Sequence, residues 1–155
     1  MISFAKNLNH KLDPWRVYAD KFVAPVLYLI IRLYIAQIFF QSGLLKFQNL
    51  LNGNWEATVG QFADLYPVPG LPASVAAVMG TAGEIVLPIL LAFGLFGRFA
   101  ALGLIGMTCV IQFLVPEDYG VANDIHYYWL MLLAVIVVRG AGTLSLDHLI
   151  QRRLK

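Results

Sequence analysis

The sequence predicts an all-α membrane protein: a bundle of four transmembrane helices with short interfacial helices, both termini cytoplasmic. Three observations lead there. Of the 155 residues, 59% are hydrophobic and 13% are charged. A soluble domain has about 45–50% and about 25%, so these charges are too few to solvate a surface of this size. The apolar residues also collect in long stretches. There are 19 uncharged positions between Asp64 and Glu84 and 18 between Arg98 and Glu117, neither amphipathic at a helical period. Finally, the basic residues are segregated: nine of the 11 fall on one side of the predicted spans, which sets that side in the cytoplasm. High hydrophobicity and low charge exclude a disordered chain.

The elements follow in order. Residues 1–21 are polar, not a basic tip followed by an apolar core, so no cleavable signal is read there. Asp13-Pro14 marks a helix start. The helix spans about 14–24 and lies on the interface, with Trp15, Tyr18, Ala19 and Phe22 on one face. Span one covers about 26–46 and carries Arg32. A helix over about 54–66 follows, started by Asn54, with Trp55, Val59, Phe62 and Tyr66 on one stripe. The proline run Pro67 to Pro72 ends it. Span two covers about 71–95 with Glu84 inside, span three about 98–116, and span four about 125–142. A last interfacial helix occupies about 144–154, basic on one face at Arg152 and Arg153.

Arg32 and Glu84 are the charges that a bilayer rejects, at roughly 2.5–3.5 kcal/mol each on insertion scales. Measured from Leu45 and from Leu71, each lies 13 residues into its span, about 20 Å deep. They are therefore expected to form an intramembrane ion pair between antiparallel helices. Small residues flank both: Ala36 and Gly43 on the Arg32 stripe with Phe39 and Lys46, and Ala76 and Gly80 on the Glu84 stripe with Pro88. Pro88 has no N–H, so the Glu84 carbonyl is expected to be free as a further acceptor for the arginine. Two readings stay open: a structural salt bridge that fixes register, or the polar floor of a ligand cavity or a proton relay.

Other polar groups define what chemistry is available. Lys46, Gln112, Asp124 and His126 fall at one depth at the outer mouth of the bundle. As a ligand-binding set they could hydrogen-bond a quinone carbonyl; otherwise they are interfacial groups meeting headgroups and water. His126 with Asp124, Asp118 and Glu117 lacks recognised metal-ligand spacing, so no metal site is assigned. His10 and His148 fall on the cytoplasmic side and His126 outside, which leaves no two histidines at one depth for a haem. The single Cys109 rules out an internal disulfide, a dithiol and an iron–sulfur cluster. Gln37, Gln41 and Gln48 form a second polar stripe on span one. They either pack against another span or contact another subunit, the latter preferred. No nucleophile–base pair is present, so no catalytic residue is assigned. Topology accounts for the basic residues, and no nucleic-acid surface is read.

Three motifs carry a family resemblance. The first is Phe39-Phe40-Gln41-Ser42-Gly43-Leu44-Leu45-Lys46 after Arg32, the second is Glu84 within Thr81 to Pro88, and the third is Gly140-Ala141-Gly142-Thr143-Leu144-Ser145-Leu146-Asp147. Over about residues 26–150 the chain resembles the DoxX family of small four-helix bacterial inner-membrane proteins. Ala141 departs from it, where a proline is common. Tyr66-Pro67-Val68-Pro69 and the His126–Trp129 pair resemble a branch often encoded beside metal-responsive genes. The resemblance implies a multi-pass protein of the bacterial inner membrane that serves as a membrane subunit of a redox or stress-response assembly. A related subunit belongs to a thiosulfate:quinone oxidoreductase. Any redox activity would then run through a bound quinone or a partner subunit. The alternatives are a non-catalytic membrane scaffold and, further back, a small metal or acid transporter, for which an internal repeat is wanting. The expected partners are the lipid bilayer and either a further copy of the chain or a redox partner protein.

Overall fold

The computed structural model describes residues 13–65, 67, 68, 70–115 and 120–154. Among these it is all-helical. The helices are α1 (Asp13–Leu51), α2 (Trp55–Asp64), α3 (Ala73–Phe93), α4 (Gly97–Leu114), α5 (Ile125–Arg139) and α6 (Leu146–Arg153). Helices α1, α3, α4 and α5 form the bundle. Its core is Ile31, Ile35 and Phe39 of α1, Leu91 of α3, Leu104 of α4, and Leu133 and Ile136 of α5. The outside is as apolar as the inside: Phe99 and Val138 are more than 70% exposed, and Ile30, Leu33 and Val86 also face outward. Such a surface suits a hydrocarbon solvent.

Helices α1, α3 and α4 are long and apolar enough to cross a membrane, whereas α5 has 15 residues, about 22 Å at the helical rise. The helix expected over 14–24 is not separate: α1 runs unbroken for 39 residues from Asp13. Its only irregularity is a wide π turn at Ala19–Val23, ahead of the buried Pro25. Proline cannot donate to the carbonyl four residues back, and a widened turn accommodates its ring without ending the helix. At the other end α1 continues beyond Lys46 to Leu51, where Asn52 N–H closes on the Gln48 carbonyl at 2.9 Å.

Helix α2 lies across one end of the bundle. Phe62 is buried against Ala76 and Ala77 of α3, with Trp55 and Val59 packed beside it. Asn49 Nδ2 donates to Thr58 Oγ1 at 3.1 Å, tying α2 to α1. Asn54 occupies the expected starting position, but its side chain makes no capping bond. Tyr66, the last member of the stripe, lies outside the described residues. At the opposite end, α3 turns into α4 through Gly94 and Phe96, both in the left-handed region with φ 64° and 51°. Helix α6 packs over that turn.

Candidate functional site

The two intramembrane charges do not pair with each other. Glu84 Oε2 accepts from Lys46 Nζ at 2.6 Å, and both side chains are about nine-tenths buried. Arg32, fully buried, donates instead to the carbonyls of Ala92 at 3.0 Å, Leu91 at 3.4 Å and Leu144. The expected depth match fails because α1 does not end near Lys46. Arg32 lies 19 residues before Leu51, but Glu84 lies only 11 after Ala73, an offset of about 12 Å along the bundle.

Helix geometry explains why Lys46 reaches Glu84. Side chains in a helix lean toward its N-terminus, so the Lys46 ammonium descends one turn and donates to Ser42 Oγ at 2.8 Å. That places it at the level of Glu84. Gly43 brings the two helices together: a Cβ there would stand 2.8 Å from the Glu84 backbone, closer than packed carbons approach. Ser42, Gly43 and Lys46 thus work as a unit, one as acceptor, one as the gap and one as the charge.

This pair floors a cavity of about 370 Å³ between α1, α3 and α4. The walls are apolar, with Met79 and Leu87 from α3, Met107 and Ile111 from α4, and Phe62 of α2 above. Two polar valences at the floor are uncommitted. An ammonium has three donors, of which Ser42 and Glu84 take two. The second carboxylate oxygen of Glu84 accepts from no described residue. An apolar cavity with a few placed polar groups is the usual form of a small-molecule site.

Arg32 belongs to a second cluster at the α6 end, where every partner is backbone. The C-terminal carbonyls of α3 are the orphan acceptors of a helix end, and a cation there also meets the negative end of the helix dipole. Asp147 serves the other side of the turn: Oδ1 accepts from Phe96 N–H and Oδ2 from Gly97 N–H, both at 2.9 Å. The Asp147 N–H in turn donates to the Gly94 carbonyl at 3.0 Å. Ser145 Oγ donates to the Gly142 carbonyl at 2.5 Å and accepts from His148 N–H at 3.2 Å, starting α6. The Gly140 to Asp147 motif therefore staples α6 to the α3–α4 turn.

The four candidate ligand-binding residues divide. Lys46 belongs to the cavity above. Gln112, Asp124 and His126 come together where α4 meets α5. Gln112 sits in a π turn at Val110–Leu114, and its Oε1 accepts from Asn123 N–H at 3.1 Å and meets His126 Nδ1 at 2.7 Å. With an oxygen opposite it, Nδ1 is the donor, which fixes the tautomer of a neutral ring. His126 is buried, its ring centre 4.8 Å from that of Trp129 at a tilt of 54°, while Asp124 is exposed and borders a shallow cavity with Gln112. Among the described residues no His, Cys, Asp or Glu group could hold a metal ion; Glu117 and Asp118 lie outside them. Gln37, Gln41 and Gln48 are all exposed on α1, and Gln37 borders a groove that α1 shares with Pro88, Ile89 and Phe93 of α3.

Fold and site together define a polytopic membrane protein with a buried charge pair beneath an apolar cavity. The chain belongs to the DoxX family, whose model matches residues 27–117. A protein of Haemophilus influenzae (strain ATCC 51907 / DSM 11121 / KW20 / Rd), described only as an uncharacterized protein, is 34% identical over 132 residues. The alignment covers 80% of this chain and 83% of that relative. No solved structure matches.

Proposed function

We propose that this chain is a ligand-binding membrane subunit of a redox or stress-response assembly, and that the Lys46–Glu84 cavity takes a quinone-type headgroup. The observation that carries this is the uncommitted third donor of Lys46 at the floor of an apolar cavity of about 370 Å³. A planar carbonyl compound needs a donor at its oxygen and apolar walls for its ring, and this cavity offers both. Redox activity then comes through the bound quinone or a partner protein. The bundle sits in a bacterial inner membrane with four spans and both ends cytoplasmic. The lateral packing of α5 against α4 and the basic residues at the α6 end support that arrangement. The exposed glutamines 37, 41 and 48 are the contact for a further copy or for the partner, since amides facing lipid lack hydrogen-bond partners.

The test is solvent extraction and mass spectrometry of protein purified in mild detergent. Quinone near one per chain is expected for the wild type, falling at least tenfold in Lys46→Met. A wild type that is empty and binds no added quinone would overturn the reading. It would leave a scaffold, a role for which the backbone-bound Arg32 cluster alone suffices.

A further inference from the structure

At the α6 end lies a second cavity, larger and quite different in kind. Its volume is about 590 Å³, and Arg98, Arg139, His148 and Gln151 line it together with Phe96 and Phe99. Arg98 is the second residue of α4 and Arg139 the last of α5. These helices pack against each other, so both guanidinium groups stand at one end of the bundle. Neither is saturated. Arg98 makes one long bond to the Val138 carbonyl at 3.4 Å, and Arg139 makes none among the described residues. Asp147 also borders the cavity, but both of its oxygens are held by the backbone N–H groups of Phe96 and Gly97. Its charge is thereby spent on the positive end of α4. The cavity keeps an excess of positive charge in forked donors, the geometry that suits a phosphate.

The apolar rim distinguishes a lipid from a soluble anion. Phe96 is 60% exposed, Phe99 72% and Leu102 50%. Phe99 and Leu102 are three residues apart on α4, so they share a face running from the cavity along the bundle. We propose that this cavity binds the phosphate headgroup of an anionic glycerophospholipid, with an acyl chain lying along Phe99 and Leu102. Basic pockets between helices at a membrane surface recognise such headgroups. The inference does not depend on what occupies the Lys46–Glu84 cavity.

The test uses the full chain in neutral detergent, titrated with phosphatidylglycerol, phosphatidylcholine or inorganic phosphate. Retained lipid is read by native mass spectrometry and stability by thermal shift. Phosphatidylglycerol is expected to be retained at least tenfold more than phosphatidylcholine, and to raise Tm. Arg98→Gln and Arg139→Gln should each weaken retention about five-fold, the effect of one basic side chain at an anionic surface. Both arginines are exposed, so the variants should keep the wild-type Tm in phosphatidylcholine. Arg152→Gln with Arg153→Gln removes two charges, twice that of either single variant, from α6 outside the cavity and should leave retention unchanged. Three results would overturn the proposal: equal retention of both lipids, equal loss in the α6 control, or a full response to inorganic phosphate alone.

Discussion

The molecule carries two buried polar clusters about 12 Å apart along its axis, and they differ in what satisfies them and in what they face. At the α6 end, Arg32 and Asp147 spend their charges on backbone groups of the α3–α4 turn and of Leu144. The terminal nitrogens of Arg32 are held by carbonyls that cannot change protonation, and its buried Nε has no partner among the described residues. Near the α2 end, Lys46 and Glu84 meet each other, and each keeps a valence facing an apolar cavity. A charge held by fixed backbone groups ties helices together; one whose free valences face an apolar void has something still to bind. The lesson is that the cost of burying a charge is not itself a sign of function.

The sharpest way to break the comparison is Arg32→Leu. It strips three carbonyls of a charged donor in the interior, a loss of at least about 4.5 kcal/mol when such bonds contribute about 1.5–3 each. The expected outcome is a collapse in the yield of folded protein, or a lower Tm in detergent. No second substitution at Glu84 should rescue it: the losses from Arg32→Leu and Glu84→Leu should add, as for sites with no shared partner. Recovery in the double variant would show that the two charges are coupled after all.

Smaller in stability but larger in binding is the response expected at the cavity floor. Lys46→Met or Glu84→Met alone strands a buried charge, at about 3 kcal/mol. The double variant removes both charges and replaces them with flexible apolar side chains, so most of the lost Tm should return. Quinone retention should stay lost in all three. A double variant that regains stability and also keeps its ligand would detach the pair from the cavity.

Much of this was legible in the sequence. Long uncharged stretches located the helices, because lipid accepts only backbone bonded within the segment. The small-residue stripes correctly placed α1 against α3, with Gly43 set on Glu84. The observed pairing differs from the expected one for one physical reason. A span ending near Lys46 puts Arg32 and Glu84 at one depth, whereas the helix runs on to Leu51. Lys46 itself shares the stripe of Arg32, Ala36, Phe39 and Gly43, all of which are buried. Membership of an inward-facing stripe was the signal that this lysine pairs inside the bundle. The role of Asp147 was not legible at all. It depends on a left-handed Phe96 some fifty residues away, and no local pattern announces that conformation.

That distant contact supplies the smallest and most specific prediction. A left-handed backbone at a non-glycine residue costs roughly 1–2 kcal/mol, and Asp147 holds Phe96 there by accepting its N–H. Phe96→Gly removes the conformational cost but adds freedom to the unfolded chain, worth about 0.5–1 kcal/mol the other way. The variant should therefore sit within about 1 kcal/mol of wild type, on the stable side. Asp147→Asn in the wild-type background removes the carboxylate that caps α4, about 1 kcal/mol for a lost helix cap. In the Phe96→Gly background the same substitution should cost less, because the turn no longer needs to be held. Thermal melts of the four proteins measure that difference directly. Equal costs in both backgrounds would mean that Asp147 acts only on the end of α4, and that the left-handed turn is set by the packing of α6 alone.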